Sequence, residues 1–307
     1  MKTDNPIVFG VTEYDYLLKA ILQRGRFERG KLERDEFPDG ERYQRIVSEI
    51  VGRDVVVVGG TISDKVTLEI YDLSCALVKY GARSLTLLMP YFGYATMERA
   101  VKPGEVVTAK TRARLFSSIP QAAYGNRIVM VDLHAAGLPH YFEGGVRPVH
   151  LYAKPIIQKL VRGFGGKRFV LASTDAGRAK WVESLAGELG VPAAFVYKRR
   201  LDGERTAITG VSASVKGRRV VIYDDMVRTG SSLLQAARAY REAGATAVFA
   251  VATHGIFPSE AWRKIHGSGL LDGVGCTDSH PNVLQLPARQ IRVHSLAGLL
   301  TEYLVNA

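Results

Sequence analysis

The chain has 307 residues, 47% of them hydrophobic, which is enough for one large or two medium domains with real cores and excludes a disordered chain. Lys and Arg number 41 against 30 Asp and Glu, a formal net charge of +11. That balance favours an anionic partner (phosphorylated metabolite, nucleic acid or membrane surface) without choosing among the three.

Other features narrow the choice. No basic helix or stripe with interleaved aromatics is present, so nucleic acid is not expected. No run approaches ~20 uninterrupted apolar residues, so no membrane span is expected. Met1–Pro6 contains an acid and a proline and does not read as a signal peptide. Cys75 and Cys276 are the two cysteines, with no zinc spacing and no disulfide framework. A reduced cytoplasm is the expected setting.

In chain order, Val55–Val58 predicts a buried strand ending in Gly59-Gly60. Ser63 or Asp64 can then cap a helix with Val66, Ile70, Leu73 and Leu77 on one stripe, closed by Gly81. Leu85–Met89 is the next strand, stopped by Pro90. A boundary is expected near Val149–Tyr152, where the chain enters a new helix. Ala193–Val196 reads as a strand followed by Lys198-Arg199-Arg200. Val220–Tyr223 is a strand ending in Asp224-Asp225, and a helix from about Ser232 turns Leu233, Ala236, Ala237 and Tyr240 inward. Gly244 closes that helix, and Ala247–Val251 follows as a strand.

The rhythm predicts an α/β fold, each half a mainly parallel sheet flanked by helices. Gly81-Ala82 and Gly244-Ala245 hold the same place in two similar units, which suggests duplicated domains. The expected domains are residues 1–149 and 150–289. Residues 290–307, with Arg292-Val293 and a helix around Leu296–Leu304, are expected to pack back on the first.

The densest chemistry lies at Asp224–Ser232. A strand delivers Asp224 and Asp225 to the carboxyl edge of a parallel sheet, where ligands bind in open α/β folds. Arg228, Thr229, Gly230, Ser231 and Ser232 follow and open a helix, and its exposed amides plus three hydroxyls form a phosphate cradle. The acids suit ribose hydroxyls or a magnesium shell, or they simply cap a turn. No Gly-Lys-Ser/Thr follows, which excludes a Walker A loop.

This segment resembles the phosphoribosyl-diphosphate motif of phosphoribosyltransferases and of ribose-phosphate pyrophosphokinase, and further segments in the same order resemble the latter. They are Phe37-Pro38-Asp39-Gly40-Glu41, Pro90–Ala95 with Thr108-Ala109-Lys110, Asp132-Leu133-His134-Ala135, Ser173-Thr174-Asp175-Ala176-Gly177 (Ser-Pro-Asp-x-Gly in the family), Lys198-Arg199-Arg200 and Thr253–Phe257. The resemblance spans nearly the whole chain. It implies two phosphoribosyltransferase-like domains with the active site at their junction. It also implies Mg2+-dependent transfer of the β,γ-diphosphate of ATP, the co-substrate, to the 1-hydroxyl of ribose 5-phosphate. The products are phosphoribosyl diphosphate and AMP.

By the same resemblance His134 and Asp175 hold or orient the metal, and Lys198 and Arg200 stabilise the transferring group. Asp224 and Asp225, with the turn from Arg228 to Ser232, hold ribose 5-phosphate. Phe37, Asp39, Gly40, Glu41 and Arg99 approach the nucleotide, with Asp39, Gly40 and Glu41 coming from a neighbouring subunit of a homodimer or homohexamer. Attack at phosphorus spreads negative charge over equatorial oxygens, so positioning and cations carry such a reaction. Arg200 offers a two-point clamp and Lys198 a mobile point charge.

Three positions depart from the family. Its Arg-Gln-Asp-Arg after Tyr94-Ala95 is Thr96-Met97-Glu98-Arg99, which removes a nucleotide-contacting arginine. Its Gly-Gly after the metal aspartate is Gly177-Arg178, placing a cation near the diphosphate. Its Asp-Thr-x-Gly-Thr is Arg228-Thr229-Gly230-Ser231-Ser232, exchanging an acid for a base. Three alternatives follow: an unusual donor or an acceptor such as ADP-ribose, a catalytically weak regulatory homologue associating with a true synthetase, or a phosphoribosyltransferase consuming phosphoribosyl diphosphate.

Overall fold

A computed structural model of the chain describes residues 5–200, 206–258 and 260–307, with the side chains of 198–200 and 206–209 outside the description. Internal contacts divide it into two compact units, Met1–Tyr152 with Ser295–Ala307, and Ala153–His294.

The first unit runs β1 (Ile7–Gly10), α1 (Asp15–Leu22), β2 (Glu28–Arg29), β3 (Leu32–Glu36), β4 (Arg42–Ile46), β5 (Asp54–Val58), α2 (Asp64–Lys79), β6 (Ser84–Met89), α3 (Thr108–Ser117), β7 (Asn126–Val131) and β8 (Val146–Leu151). Its six-stranded sheet has the order β2-β1-β5-β6-β7-β8, parallel throughout. The four valines of β5 are all buried, as a strand covered on both faces requires. Helix α2 begins where the Ser63 hydroxyl accepts the Val66 amide at 3.2 Å. Val66, Ile70, Leu73 and Leu77 face inward. β3 and β4 form an antiparallel hairpin apart from the sheet.

The second unit runs α4 (Lys154–Gly165), β9 (Phe169–Ser173), α5 (Ala179–Leu189), β10 (Ala193–Ala194), β11 (Val196–Arg200), β12 (Thr206–Val211), β13 (Arg219–Val227), α6 (Ser231–Glu242), β14 (Ala247–Gly255), α7 (Ala261–Gly267), β15 (Gly273–Thr277) and β16 (Arg292–His294). The order β10-β9-β13-β14-β15-β16 is again parallel throughout. Each unit thus places a two-stranded hairpin, β3–β4 or β11–β12, between the second and third strands of its sheet. Helix α8 (Ala297–Asn306) packs on α1 in the first unit. No helix among the described residues is long and apolar enough to cross a membrane.

Three segments differ from the sequence reading. β13 does not stop at Asp225 but continues to Val227, because Met226 and Val227 keep register with His254 and Gly255 of β14. Lys198 and Arg200 lie within a strand rather than after one: β10 ends at Ala194, and Val196–Arg200 pairs antiparallel with β12. Arg292-Val293 does not pack back on the first unit, since β16 pairs with β15 and only Ser295 onward returns.

Candidate active site

At the carboxyl edge of the second sheet, β13 carries Asp224 and Asp225 beside the end of β9, with Tyr223 in register with Ser173. Asp225 is buried, its side chain 5% exposed, and its Oδ2 lies 2.6 Å from an Arg178 guanidinium nitrogen. Asp224 Oδ2 accepts the Thr174 hydroxyl at 3.0 Å, and its Oδ1 accepts the Asp225 amide at 3.0 Å. Burial, reinforced by the neighbouring Asp225 charge, pushes the Asp224 carboxyl up to about 7. Two adjacent acids sharing a partly dry site thus divide their roles, one ion-paired and one poised to gain or lose a proton.

The ligand loop follows directly. Arg228 and Thr229 are exposed, and Gly230 takes a left-handed conformation at φ +75° as it enters α6. Ser231 starts that helix one residue earlier than the sequence reading placed it, and no side chain caps it. Its first-turn amides therefore have no partner within the helix, and Thr229, Ser231 and Ser232 stand exposed around them. The Thr229 and Ser231 hydroxyls lie 3.4 Å apart. Unpartnered amides ringed by hydroxyls have the chemistry to accept a phosphate group, and they sit next to the acid pair.

Asp175 is half-buried at the same edge and N-caps a short 3-10 turn, accepting the Gly177 amide at 2.9 Å. Among the described residues, no group of three or more His, Cys, Asp or Glu side chains could by itself hold a metal ion. A magnesium ion sharing phosphate oxygens and waters needs only one or two carboxylates. Asp175 fits that lesser demand. The acid pair fits it less well, because Arg178 and Thr174 already engage it.

In the first unit, His134 lies half-buried just past the end of β7, again at a carboxyl edge. The preceding Asp132 is buried with φ +38°, and His150 Nε2 accepts the Leu133 amide at 2.9 Å. The Tyr91–Ala95 segment is fixed at this edge by Thr61, whose hydroxyl accepts the Gly93 amide at 2.6 Å. A Cβ on Gly93 would sit 2.2 Å from the Thr61 carbonyl oxygen, so the approach demands glycine. Arg99 is exposed and lies 3.6 Å from the Glu98 carboxylate, and Met97 is 41% exposed.

Phe37, Asp39, Gly40 and Glu41 form the tip of the β3–β4 hairpin. Phe37 donates its amide to Glu41 and accepts that of Gly40, both at 2.8 Å, and Gly40 has φ +89°. Phe37 packs edge-on against Tyr43 yet stays 49% exposed. A cleft of about 980 Å³ between hairpin and α2 is lined by Gly40, Glu41, Arg42, Lys65 and Glu69.

The second unit thus gathers Asp175, Asp224, Asp225 and residues 228–232 on one edge, and the first unit holds His134 and the Phe37–Glu41 tip. The Lys198 and Arg200 side chains lie outside the described residues. The basic run Lys216–Arg219 leads into the first residue of β13 and so sits at the opposite edge of the sheet from the acid pair. Sequence reasoning missed Thr174 as a donor to Asp224, and it flagged Arg178 without finding its partner. The signal at both positions was the departure from the family motif, whose Pro and Gly could make neither bond.

Comparison with known proteins points to the same family as the sequence motifs. Residues 7–119 match the N-terminal domain of ribose phosphate pyrophosphokinase, and residues 187–305 match the phosphoribosyl synthetase-associated domain. A ribose-phosphate pyrophosphokinase of Campylobacter jejuni is 32% identical over 268 residues, 87% of this chain and 84% of that protein. The namesake from Chromobacterium violaceum is 32% identical over 305 residues, 98% of this chain and 91% of its own. The crystal structure of phosphoribosylpyrophosphate synthetase from Mycobacterium smegmatis superposes with a TM-score of 0.86 at 25% identity, covering 98% of both chains. By matched domains, identity and fold, this chain is a member of the ribose-phosphate pyrophosphokinase family of diphosphotransferases.

Proposed function

We propose that the chain transfers the β,γ-diphosphate of ATP to the 1-hydroxyl of ribose 5-phosphate, giving phosphoribosyl diphosphate and AMP. The observation that carries this reading is the uncapped start of α6, ringed by hydroxyls, beside Asp224 and Asp225. In this reading the amides and hydroxyls of Thr229–Ser232 bind the 5-phosphate, and Arg228 adds positive charge at the rim. Asp224 accepts hydrogen bonds from ribose hydroxyls and orients the sugar. Phe37 offers an exposed ring to the nucleotide base, with Asp39, Gly40, Glu41 and Arg99 around it.

The 1-hydroxyl oxygen forms a bond to the β-phosphorus. The bond from that phosphorus to the oxygen bridging the α-phosphate breaks, AMP leaves with the electron pair, and the hydroxyl proton goes to solvent or a nearby base. Lys198 and Arg200 hold the migrating group and balance the charge that spreads over its equatorial oxygens. When bound by His134 or Asp175 together with phosphate oxygens, magnesium would neutralise part of the diphosphate charge. Assembly into homodimers or homohexamers belongs to the same proposal.

Met97, 41% exposed where the family motif has a polar nucleotide contact, favours a second reading: a regulatory homologue that binds nucleotide and associates with an active synthetase. Incubation with ATP, magnesium and ribose 5-phosphate separates the two. The proposal expects AMP and phosphoribosyl diphosphate in equal amounts. Absence of AMP with every nucleotide donor, and with ADP-ribose as acceptor, overturns it and leaves the regulatory reading.

A further inference from the structure

We infer that Arg178 supplies, from within the protein, the positive charge that the Asp224–Asp225 pair would otherwise take from a divalent cation, so that the ribose phosphate binds without one. The inference rests on the proposed reading of the acid pair as the ribose site.

Two adjacent carboxylates at a sheet edge concentrate negative charge in a partly dry site, and such charge must be paired or neutralised. Both are answered from one turn. Arg178 meets the buried Asp225 at 2.6 Å with its own side chain only 22% exposed, and Thr174 donates to Asp224 at 3.0 Å. The family motif has Pro in place of Thr174 and Gly in place of Arg178. Proline has no hydroxyl and glycine no side chain, so neither bond exists with the family's residues. Two departures therefore converge on one acid pair: Arg178 neutralises the Asp225 charge, and Thr174 donates to Asp224.

Arg178 is also held in place rather than merely near. The turn Ala176–Arg178 is capped by Asp175, and α5 starts at the next residue. Trp181 in the first turn of α5 stacks on Tyr223 of β13, ring centroids 4.0 Å apart at 18°. The helix start is thus clamped to the strand that carries both acids. A guanidinium so fixed stays on Asp225 and cannot leave with product as a solvated ion can. Arg178 is a positioning residue: it holds Asp225 and leaves Asp224 to the sugar.

Calorimetric titration of the full chain with ribose 5-phosphate, in magnesium and again in EDTA, tests this without any turnover. Wild type should keep its Kd within about threefold when magnesium is removed, a difference below ~1 kcal/mol. R178G should lose at least about tenfold more affinity in EDTA than it loses in magnesium, the size expected for one uncompensated charge. R178K should recover part of the loss. R178Q, which keeps most of the stem, stands in if R178G does not fold. A wild type that needs magnesium to bind, or variants with the same magnesium dependence as wild type, overturns the inference and leaves the proposed reaction standing. No ribose 5-phosphate binding by wild type under either condition overturns the proposed ribose site and the inference with it.

Discussion

Arg42 reaches the buried carboxylate of Glu69 at 2.6 Å, tying strand β4 to helix α2. Gln44 donates to the same carboxylate at 3.2 Å, and Arg34 of β3 lies 3.4 Å away. Lys65 adds a contact to Glu36 at 2.8 Å. A two-stranded hairpin alone is marginal in water, so this acid holds the Phe37–Glu41 tip in place. Burial raises the Glu69 carboxyl above its usual range against the pull of both arginines. Glu69→Ala leaves two guanidiniums partly unpaired and should cost about 1–3 kcal/mol. It should also raise KM for the nucleotide several-fold, with a smaller change in kcat. Glu69→Gln keeps an acceptor and should lose less of both. Thermal melts and steady-state kinetics check this, and an unchanged KM would detach the hairpin from nucleotide binding.

Asp224 makes stability depend on pH. Its carboxyl is pushed from 3.8 up to about 7, by burial first and then by Asp225. The folded state therefore favours the protonated acid relative to the unfolded chain. That contribution is fully present below about pH 4 and fades as pH rises through about 7. Asp224→Asn, neutral at every pH, should flatten the loss. Between pH 5 and pH 8 the urea midpoint should fall further for wild type than for the variant. Parallel midpoints would show that Asp224 titrates as an ordinary exposed acid.

Much of this architecture is legible in local sequence. Ser63 before the Val66-Ile70-Leu73-Leu77 stripe marks the start and buried face of α2. Four apolar residues ahead of Asp224 mark a buried strand, and Gly230 before a run of hydroxyls marks a turn into a helix. What escapes depends on partners distant in the chain. β13 extends to Val227 because β14 pairs with it, not because of its own pattern. The β11–β12 hairpin is hidden because β11 ends in three consecutive cations and its register is irregular between Tyr197 and Lys198. Arg292–His294 looks like part of a returning tail until β15 is seen beside it. The Arg178–Asp225 pair joins residues 47 positions apart, and no periodicity links them.

Gly230 and Gly187 predict opposite outcomes for the same substitution. At Gly230 φ is +75°, and a Cβ would meet Ile265 Cδ1 and Cγ1 at 2.5 Å. Gly230→Ala should destabilise by about 1–3 kcal/mol through backbone strain alone. Because the loop must shift, it should also weaken ribose 5-phosphate binding. Gly187 lies inside α5 with nothing within 4 Å of a Cβ. Gly187→Ala should stabilise by about 0.5–1 kcal/mol and leave binding untouched. Chemical denaturation of the two variants side by side reads both signs, and equal signs would contradict the loop geometry.

Lys198 and Arg200 belong to a hairpin strand whose backbone pairs with Ile208 and Thr206 of β12. A strand backbone paired to its hairpin neighbour is a firmer mount for long side chains than a loop would be. If these cations serve the migrating diphosphate, their value lies in the transition state, where charge spreads over the equatorial oxygens, and not in the bound substrates. Arg200→Ala should then lower kcat by a factor on the order of 10³, with KM for both substrates changed by less than about threefold. Arg200→Lys keeps the charge but loses the two-point clamp, and should fall between wild type and alanine. Lys198→Ala should behave like Arg200→Ala. Single-turnover measurement of AMP release, with substrate binding followed separately, distinguishes this from a binding defect. A rise in KM with kcat preserved would assign both residues to holding ATP, and unchanged turnover would remove them from the reaction.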